Sequence, residues 1–215
     1  MLFLIDAATR DSYADELDGI FSLRHQVLCN EYKWHGISAT DDRETDQFDC
    51  RDAIYLGVRN TAGQVVACLR LNPSHRPTLT SEVFRDLVEF TDLPSGPLFY
   101  DVSRLVLASE VRGDPLGAGL DLMCAMYEWG LAHRVTGYTA VTSLRVLSWL
   151  LQIGMKIDAL GLPRTIEGEP TVAIYLPVVT ASLANLYSKS RNPKPRLLQF
   201  TRQVRHGDAT AATVH

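Results

Sequence analysis

The first half of the chain holds its apolar residues in short runs, a pattern typical of buried strands. Between the second and third runs lies Asn60-Thr61-Ala62-Gly63, whose Asn and Gly suit a hairpin turn. A helix is predicted over about residues 13–28, because the apolar positions there share one face. The predicted strands of this half cover residues 2–6, 54–58, 65–71 and 98–107, and a short helix is predicted at about 81–88.

The second half alternates between helical and strand patterns. Leu116, Leu120, Met123, Tyr127 and Leu131 recur at helical spacing and predict an amphipathic helix. Strands are then predicted at 139–142, 155–160 and 172–177, and helices at 144–152 and 181–188. This order predicts an α/β (α+β) fold, with a mixed central sheet flanked by helices.

No linker divides the chain, so one domain is predicted over residues 1–191. Residues 192–215 contain Pro193 and Pro195 and end in small polar residues. We therefore predict that they form a poorly ordered C-terminal tail.

The net charge is −4, from 21 Lys and Arg against 25 Asp and Glu, and it offers no electrostatic basis for binding nucleic acid. Positive charge gathers late in the chain, where it suits either a solvated surface or the docking of an acidic partner. These late basic residues are Lys189, Arg191, Lys194, Arg196, Arg202 and Arg205.

The four cysteines show neither CxxC spacing nor a dense disulfide pattern, and the six histidines lack metal-ligand spacing, so no metal site is predicted. Residues 1–5 are apolar, but Asp6 ends the run before it could serve as a signal peptide or cross a bilayer. These features predict a cytoplasmic protein with no membrane span.

An acid-rich segment, residues 41–49, lies within a long polar stretch at 30–52. A stretch of this length in a compact domain is either mobile or functional. The segment suits a solvated loop; a calcium loop fits less well, because the glycine that such loops require is missing. A third interpretation is a site for a small cation, with Asp46 and Asp49 as carboxylates and Trp34 as an aromatic face.

Arg24, Arg70 and Arg104 each lie on or near an apolar element. A guanidinium drawn towards a core must be paired. The pairing could be structural, with the acidic segment, or it could include a ligand carboxylate held by two hydrogen bonds.

Gly117-Ala118-Gly119 opens the predicted amphipathic helix, where backbone amides could hold a phosphate. The acidic Asp114 stands where acyl-CoA-dependent N-acyltransferases carry Arg or Gln, so a plain tight turn is the better interpretation.

Together these residues resemble the acyl-homoserine-lactone synthase family, the autoinducer synthases. Order and spacing agree with the family pattern over residues 18–105, and the later succession of strands and helices agrees to about residue 190. The resemblance makes the acidic segment a predicted ligand site. The matching residues are Arg24, Trp34, Glu44-Thr45-Asp46-Gln47-Phe48-Asp49, Arg70-Leu71, Pro77, Leu79, Phe84 and Ser103-Arg104.

Two positions depart from the family pattern. Leu28 stands where the family usually has Phe, which removes an aromatic wall near the ligand. Asp101 stands where the family has Glu, which keeps the charge but shortens its reach by one methylene. The roles of these two positions are therefore open.

The resemblance implies an N-acetyltransferase-like fold, no tightly bound cofactor, and S-adenosylmethionine as a substrate. The second substrate is an acyl thioester on acyl carrier protein or coenzyme A. The amine of S-adenosylmethionine would take the acyl group; its carboxylate would then displace 5′-methylthioadenosine and close the lactone. A carrier protein would dock on basic surface, for which Arg145, Lys156, Arg164 and the late basic residues are available, and the sequence leans weakly towards it.

The implied catalytic set is Asp101, Ser103 and Arg104, with Asp101 or a water it holds as the base. Arg24 and Arg104 would orient the carboxylate, and Arg70 would fix the acidic loop. Trp34, Asp46 and Asp49 would bind the nucleoside and sulfonium side or the loop that closes over it. Residues implied for the acyl pocket are Phe84, Leu105, Thr142 and Trp149.

The sequence leaves two alternative functions open. An acyl-CoA-dependent N-acyltransferase of another amine would need a working pyrophosphate loop at residues 112–119. A non-catalytic sensor would bind S-adenosylmethionine without turnover.

Overall fold

A computed structural model describes residues 1–34, 36–37 and 39–197 of the chain. Its main sheet has the strand order β1-β4-β5-β6-β7-β10, and the short β8 and β9 both pair with β10. The long strands are β1 (Leu2–Ile5), β4 (Ile54–Arg59), β5 (Val65–Pro73), β6 (Phe99–Leu107), β7 (Gly137–Ser143) and β10 (Glu169–Pro177). The short ones are β2 (Ala39–Thr40), β3 (Arg43–Glu44), β8 (Asp158–Ala159) and β9 (Arg164–Ile166).

All pairings of the main sheet are antiparallel except that of β6 with β7, which is parallel. This parallel pairing covers only Phe99–Val102 against Gly137–Ala140. The two strands therefore part at their carboxyl ends and leave a wedge in the middle of the sheet. The sheet is the predicted mixed one, and helices flank it.

The helices are α1 (Ala14–Arg24), α2 (Leu79–Glu82), α3 (Ser109–Arg112), α4 (Ala118–Ala132), α5 (Leu144–Gln152) and α6 (Thr180–Lys189). Helix α4 packs on one side of the sheet within the largest apolar cluster, and α1 packs in a second cluster with Phe3, Ile5 and Tyr55. A third, smaller cluster joins Leu87, Val88, Leu160 and Ala173.

Four of the predicted elements differ in the structure. The first helix continues through a π-helical turn at His25–Glu31, and the helix predicted at 81–88 is α2 followed by a 3₁₀ turn at Arg85–Leu87. The strand predicted at 155–160 shrinks to β8, because β8 and the unpredicted β9 share one edge of β10. Helix α4 is buried around most of its circumference, because it lies under the sheet and against α6.

The segment after α6 folds back along α4. Asp114, Asp121 and Glu128 recur every seven residues, so those on α4 share one face. Arg191 pairs with Asp114 at 2.7 Å, and Arg196 Nη2 donates to Asp121 Oδ1 at 2.9 Å. The backbone amides of Arg196 and Leu197 donate to Glu128. Arg196 and Leu197 of the predicted tail thus contact α4. Residues 198–215, with Arg202 and Arg205, lie outside the described residues.

Candidate active site

Three arginines and three carboxylates form one buried ion cluster beside the wedge. Arg24 ends α1, Arg70 lies on β5 and Arg104 on β6. The carboxylates belong to Glu44, at the end of β3, and to Asp46 and Asp49, in the loop that follows it. The formal charges of the six side chains cancel, which is how a core can hold so many ions.

Arg24 joins two of the acids. Its Nε donates to Glu44 Oε2 at 2.5 Å, and its two terminal nitrogens donate to the two oxygens of Asp49 at 2.8 and 2.9 Å. Such two-pronged pairing is geometrically specific and strong. Tyr55 adds a hydrogen bond from its hydroxyl to Asp49 Oδ1 at 2.9 Å.

Arg70 and Arg104 complete the cluster around Asp46. Arg70 donates to both oxygens of Asp46, at 2.6 and 3.0 Å, and its Nη1 also lies 2.8 Å from Asp49 Oδ1. Arg104 Nη2 lies 2.7 Å from Glu44 Oε1 and 2.8 Å from Asp46 Oδ2. Glu44 therefore bridges Arg24 and Arg104.

The cluster is most open at one corner. The side chains of Arg104 and Asp46 are 8% and 13% exposed, while those of Arg24, Glu44 and Arg70 are fully buried. A ligand arriving from solvent would therefore meet Arg104 and Asp46 first.

The ion pairs perturb the titration of their members. Burial alone would raise the pKa of Asp49, but the hydrogen bonds and charge of Arg24, with the charge of Arg70, hold that pKa well below its usual range. Burial would lower the pKa of Arg24, yet its bonds to Asp49 and Glu44 raise it above the ordinary value. Both groups therefore stay charged at neutral pH.

Arg104 occupies an unusual backbone position. Its φ of 55° is left-handed, and the register between β5 and β6 shifts between Cys68 and Arg70, so Arg104 lies in a β-bulge. A bulge redirects a side chain and interrupts strand pairing. Here it turns Arg104 towards the ion cluster.

Asp101 lies next to the cluster on β6 and is completely buried. Thr139 Oγ1 donates to Asp101 Oδ1 at 2.7 Å, and the Thr80 backbone N–H donates to Oδ2 at 3.3 Å. Burial raises the pKa of Asp101 to about 6; hydrogen bonds from Thr80 and Thr139 and the charge of Arg70 partly oppose the rise. A carboxyl with such a pKa can exchange a proton near neutral pH.

Ser103 couples Arg70 to β6, because its hydroxyl accepts a hydrogen bond from Arg70 Nε at 3.1 Å. Asn72, opposite Asp101 in the sheet, donates to the carbonyl of Phe48 at 2.8 Å. These bonds fix the acidic loop against the sheet.

Trp34 lies outside the cluster. Its ring is 42% exposed and stands 6.0 Å from the ring of Tyr32. The guanidinium carbons of Arg112 and Arg145 lie 5.1 and 6.0 Å from the Tyr32 ring centre. Arg112 ends α3 and Arg145 is in the first turn of α5. The side chains of Tyr32, Arg112 and Arg145 therefore meet where β6 and β7 part.

The residues implied for the acyl pocket lie in two places. Leu105 and Trp149 pack against the cluster around α4, whereas Phe84 packs with Leu87 and Ala173 in the third cluster. Thr142 lies on β7 opposite Val172. Leu105 and Trp149 therefore belong to one apolar cluster and Phe84 to another.

The start of α4 is enclosed by several contacts. Trp149 Nε1 donates to the Pro115 carbonyl at 3.1 Å, and Asp114 is paired with Arg191. A Cβ on Gly119 would stand 3.2 Å from the Trp149 ring. The glycine therefore permits this close approach of α5 to α4.

Glu44 is the functional candidate that the sequence-based site assignment omitted. It stood in the matching run, but its two-residue strand carried no pattern of its own. The missing signal was the charge balance, since three buried arginines need three acids.

Among the described residues no group of three or more His, Cys, Asp or Glu could hold a metal ion. No helix in that part of the chain has the length and apolar character needed to cross a membrane.

Comparisons of the sequence with known proteins identify one family. The family model described as "Autoinducer synthase" matches residues 9–186. The isovaleryl-homoserine lactone synthase of Bradyrhizobium diazoefficiens is 31% identical over 193 residues, which cover 90% of this chain and 87% of that protein.

Solved structures agree. A CoA-dependent acyl-homoserine lactone synthase, BjaI, with SAM and isopentyl-CoA is 30% identical, with a TM-score of 0.84 and 91% of each chain covered. An acyl-CoA N-acyltransferase from Pseudomonas aeruginosa is 19% identical, with a TM-score of 0.54 over 82% of this chain and 98% of that chain. The latter likeness extends to the fold alone.

Proposed function

The chain belongs to the autoinducer synthase family and is an acyl-homoserine-lactone synthase, and we propose that it transfers the acyl group of an acyl-CoA to S-adenosylmethionine. The observation that carries this proposal is the ion cluster, whose exposed corner at Arg104 and Asp46 offers one cation and one anion to a zwitterionic amino acid. The donor is inferred from the CoA-dependent relative that shares 30% identity over 91% of each chain.

Binding of S-adenosylmethionine uses the open corner. Its carboxylate would lie against Arg104, and its sulfonium would be attracted to Asp46 and to the aromatic face of Trp34. Arg24 is saturated by Glu44 and Asp49, so we assign it to holding the cluster in shape rather than to the ligand. Arg70 fixes Asp46 in the same way.

In the first step the substrate ammonium loses a proton to Asp101, directly or through one water. Free α-amino groups have a pKa of about 7.7–8.0, so a base with a pKa of about 6 suffices near neutral pH. The neutral amine attacks the thioester carbonyl, the amide bond forms, and the C–S bond breaks to release the CoA thiol. We assign stabilisation of the oxyanion to backbone amides where β6 leaves β7.

In the second step a carboxylate oxygen of the acylated substrate attacks the carbon next to the sulfonium. The carbon–sulfur bond breaks, 5′-methylthioadenosine leaves with the electron pair, and the lactone ring closes. The attack is intramolecular, so the enzyme supplies geometry more than chemistry. Arg104 orients the carboxylate without neutralising it by proton transfer, because a guanidinium does not deprotonate.

The acyl chain would enter the wedge between β6 and β7, towards Leu105, Thr142 and Trp149. Phe84 packs in the separate third cluster, so we leave it out of this pocket. Both substrates are intracellular metabolites, and we therefore place the reaction in the cytoplasm.

The two alternatives are less well supported. An N-acyltransferase of another amine has no use for the buried cluster, and a sensor has no use for a carboxyl base. The family relatives are synthases.

The test is to incubate the purified full chain with S-adenosylmethionine and parallel panels of acyl-CoA and acyl-carrier-protein donors. Lactone and 5′-methylthioadenosine are measured by mass spectrometry and free thiol by absorbance. Equal release of all three with an acyl-CoA supports the proposal. Turnover with carrier-protein donors alone overturns the assignment of acyl-CoA as the donor. Release of thiol without lactone overturns the proposed synthase activity.

A further inference from the structure

A cavity of about 270 Å³ lies beside the buried Asp101 and opens to the surface at the end of β5. Its lining is mainly hydroxyl-bearing and charged; it includes Ser74, His75, Thr78, Ser81, Glu82 and Thr139. The cavity is separate from the ion cluster, and the proposed reaction steps do not use it.

Thr139 connects this cavity to the proposed base. It lines the cavity, and it also donates a hydrogen bond to Asp101 at 2.7 Å while remaining almost wholly buried. On the parallel pair, Asp101 and Thr139 are direct partners in register, so the bond follows from the backbone arrangement. The Thr80 amide holds the second oxygen, which fixes the plane of the carboxyl group.

Resting on the function proposed above, we propose that Thr139 is a positioning residue that holds and stabilises the Asp101 carboxylate and links it to the cavity, through which the proton taken from the substrate amine returns to water. In that route the protonated Asp101 gives its proton to the oxygen of the Thr139 hydroxyl, and the hydroxyl gives its own proton to a water in the cavity. No atom is gained or lost.

Other groups around Asp101 fit this role. On β5, Arg70 supplies positive charge and Asn72 is uncharged. From α2 the backbone amide of Thr80 reaches the carboxylate, while His75, Arg76 and Glu82 line the cavity. Ser74 Oγ has no hydrogen-bond partner among the described residues and can bind a water that enters the cavity.

The experiment compares Thr139→Val, which keeps the shape and removes the hydroxyl, with Thr139→Ser, which keeps the hydroxyl. Loss of a hydrogen bond to a carboxylate raises its pKa, so the acidic limb of the kcat/KM profile of Thr139→Val should move up by about one pH unit. Near pH 6 activity should fall by about fivefold, and it should largely recover at pH 8. The serine variant should restore the wild-type limb.

A direct titration makes the result independent of turnover. The Asp101 carboxyl carbon is followed by ¹³C NMR against pH, after assignment with Asp101→Asn. Its pKa should rise in Thr139→Val and return in Thr139→Ser. Thr171→Val is the matched control, because that hydroxyl bonds only a backbone carbonyl on its own strand.

The outcomes separate the two proposals. Suppose that the wild type forms lactone, but that in Thr139→Val neither the acidic limb of the profile nor the pKa of the Asp101 carboxyl moves. That result overturns the inference and leaves the proposed function intact. A uniform loss of activity across pH assigns Thr139 a purely structural role and also overturns it. A shifted carboxyl titration in a chain that makes no lactone overturns the function and, with it, the proton route from the substrate amine, and supports only the positioning of Asp101 by Thr139. If Thr139→Val does not fold, the comparison of Thr139→Ala with Thr139→Ser decides in the same way.

Discussion

Removing the charge of Glu44 tests whether the ion cluster is one unit. In Glu44→Gln the side chain keeps its shape, but its amide can no longer accept from both arginines, which now face an NH₂ group. Arg24 lies 2.5 Å and Arg104 2.7 Å from the present carboxylate, and Glu44 is fully buried. The cluster changes from neutral to a net charge of +1 inside the protein.

Breaking a buried ion pair by removing one partner costs about 3–5 kcal/mol. For a domain of this size each kcal/mol lowers the melting temperature by about 2–4 °C, so Glu44→Gln should melt about 6–20 °C below the wild type. Urea unfolding gives the free energy and calorimetry the temperature. Arg104 should also lose its orientation, so the KM for S-adenosylmethionine should rise.

The control is Glu16→Gln, which removes one partner of the more exposed Arg59–Glu16 pair at 2.5 Å. Partly exposed pairs contribute about 0–1 kcal/mol, so this variant should unfold close to the wild type. A Glu44→Gln protein that loses no more stability than Glu16→Gln would refute the view of the cluster as a mutually dependent unit.

Of three further predictions, two concern residues of the cluster and one concerns the segment after α6. Arg104→Ala should abolish lactone formation while a circular dichroism spectrum shows an intact fold, and full activity would remove Arg104 from the site. The pKa of Asp49 is depressed on folding, so the stability that its carboxylate contributes is present above the pKa of the unfolded chain, near 3.8, and is lost as the pH falls below that value. The urea midpoint of the wild type should therefore decrease below pH 4, and that of Asp49→Asn should decrease less. Arg196→Ala should cost about 1–3 kcal/mol, because Asp121 loses a buried charged partner, and limited proteolysis should then cut the segment after α6 faster.

The long strands were predictable from their apolar runs, and most helices from the spacing of their apolar residues. The hairpin at Asn60–Gly63, β6 and the helix at 144–152 follow from local signals alone. β8 and β9 did not, because their length depends on how β10 divides its edge between two partners. The π-helical turn after Arg24 has no sequence pattern of its own.

The site was predictable to a different extent. Arg24, Asp46, Asp49, Arg70 and Arg104 were named from the sequence, and the structure brings all five together. Their pairing was beyond the sequence, since it depends on a bulge at Arg104 and on a two-residue strand that delivers Glu44. Thr139 gave no signal, because a threonine on a strand is ordinary until its register partner is known to be Asp101.

The equal number of positive and negative charges in the cluster determines how substrate binding depends on ionic strength. S-adenosylmethionine arrives with a net charge of +1, but the cluster that receives it is neutral, so little net field between them remains for salt to screen. A CoA donor carries several phosphate charges and would approach past Arg112 and Arg145. Added salt should thus leave the KM for S-adenosylmethionine nearly constant and raise the KM for the CoA donor, so a salt series distinguishes the binding of the two substrates without any mutation.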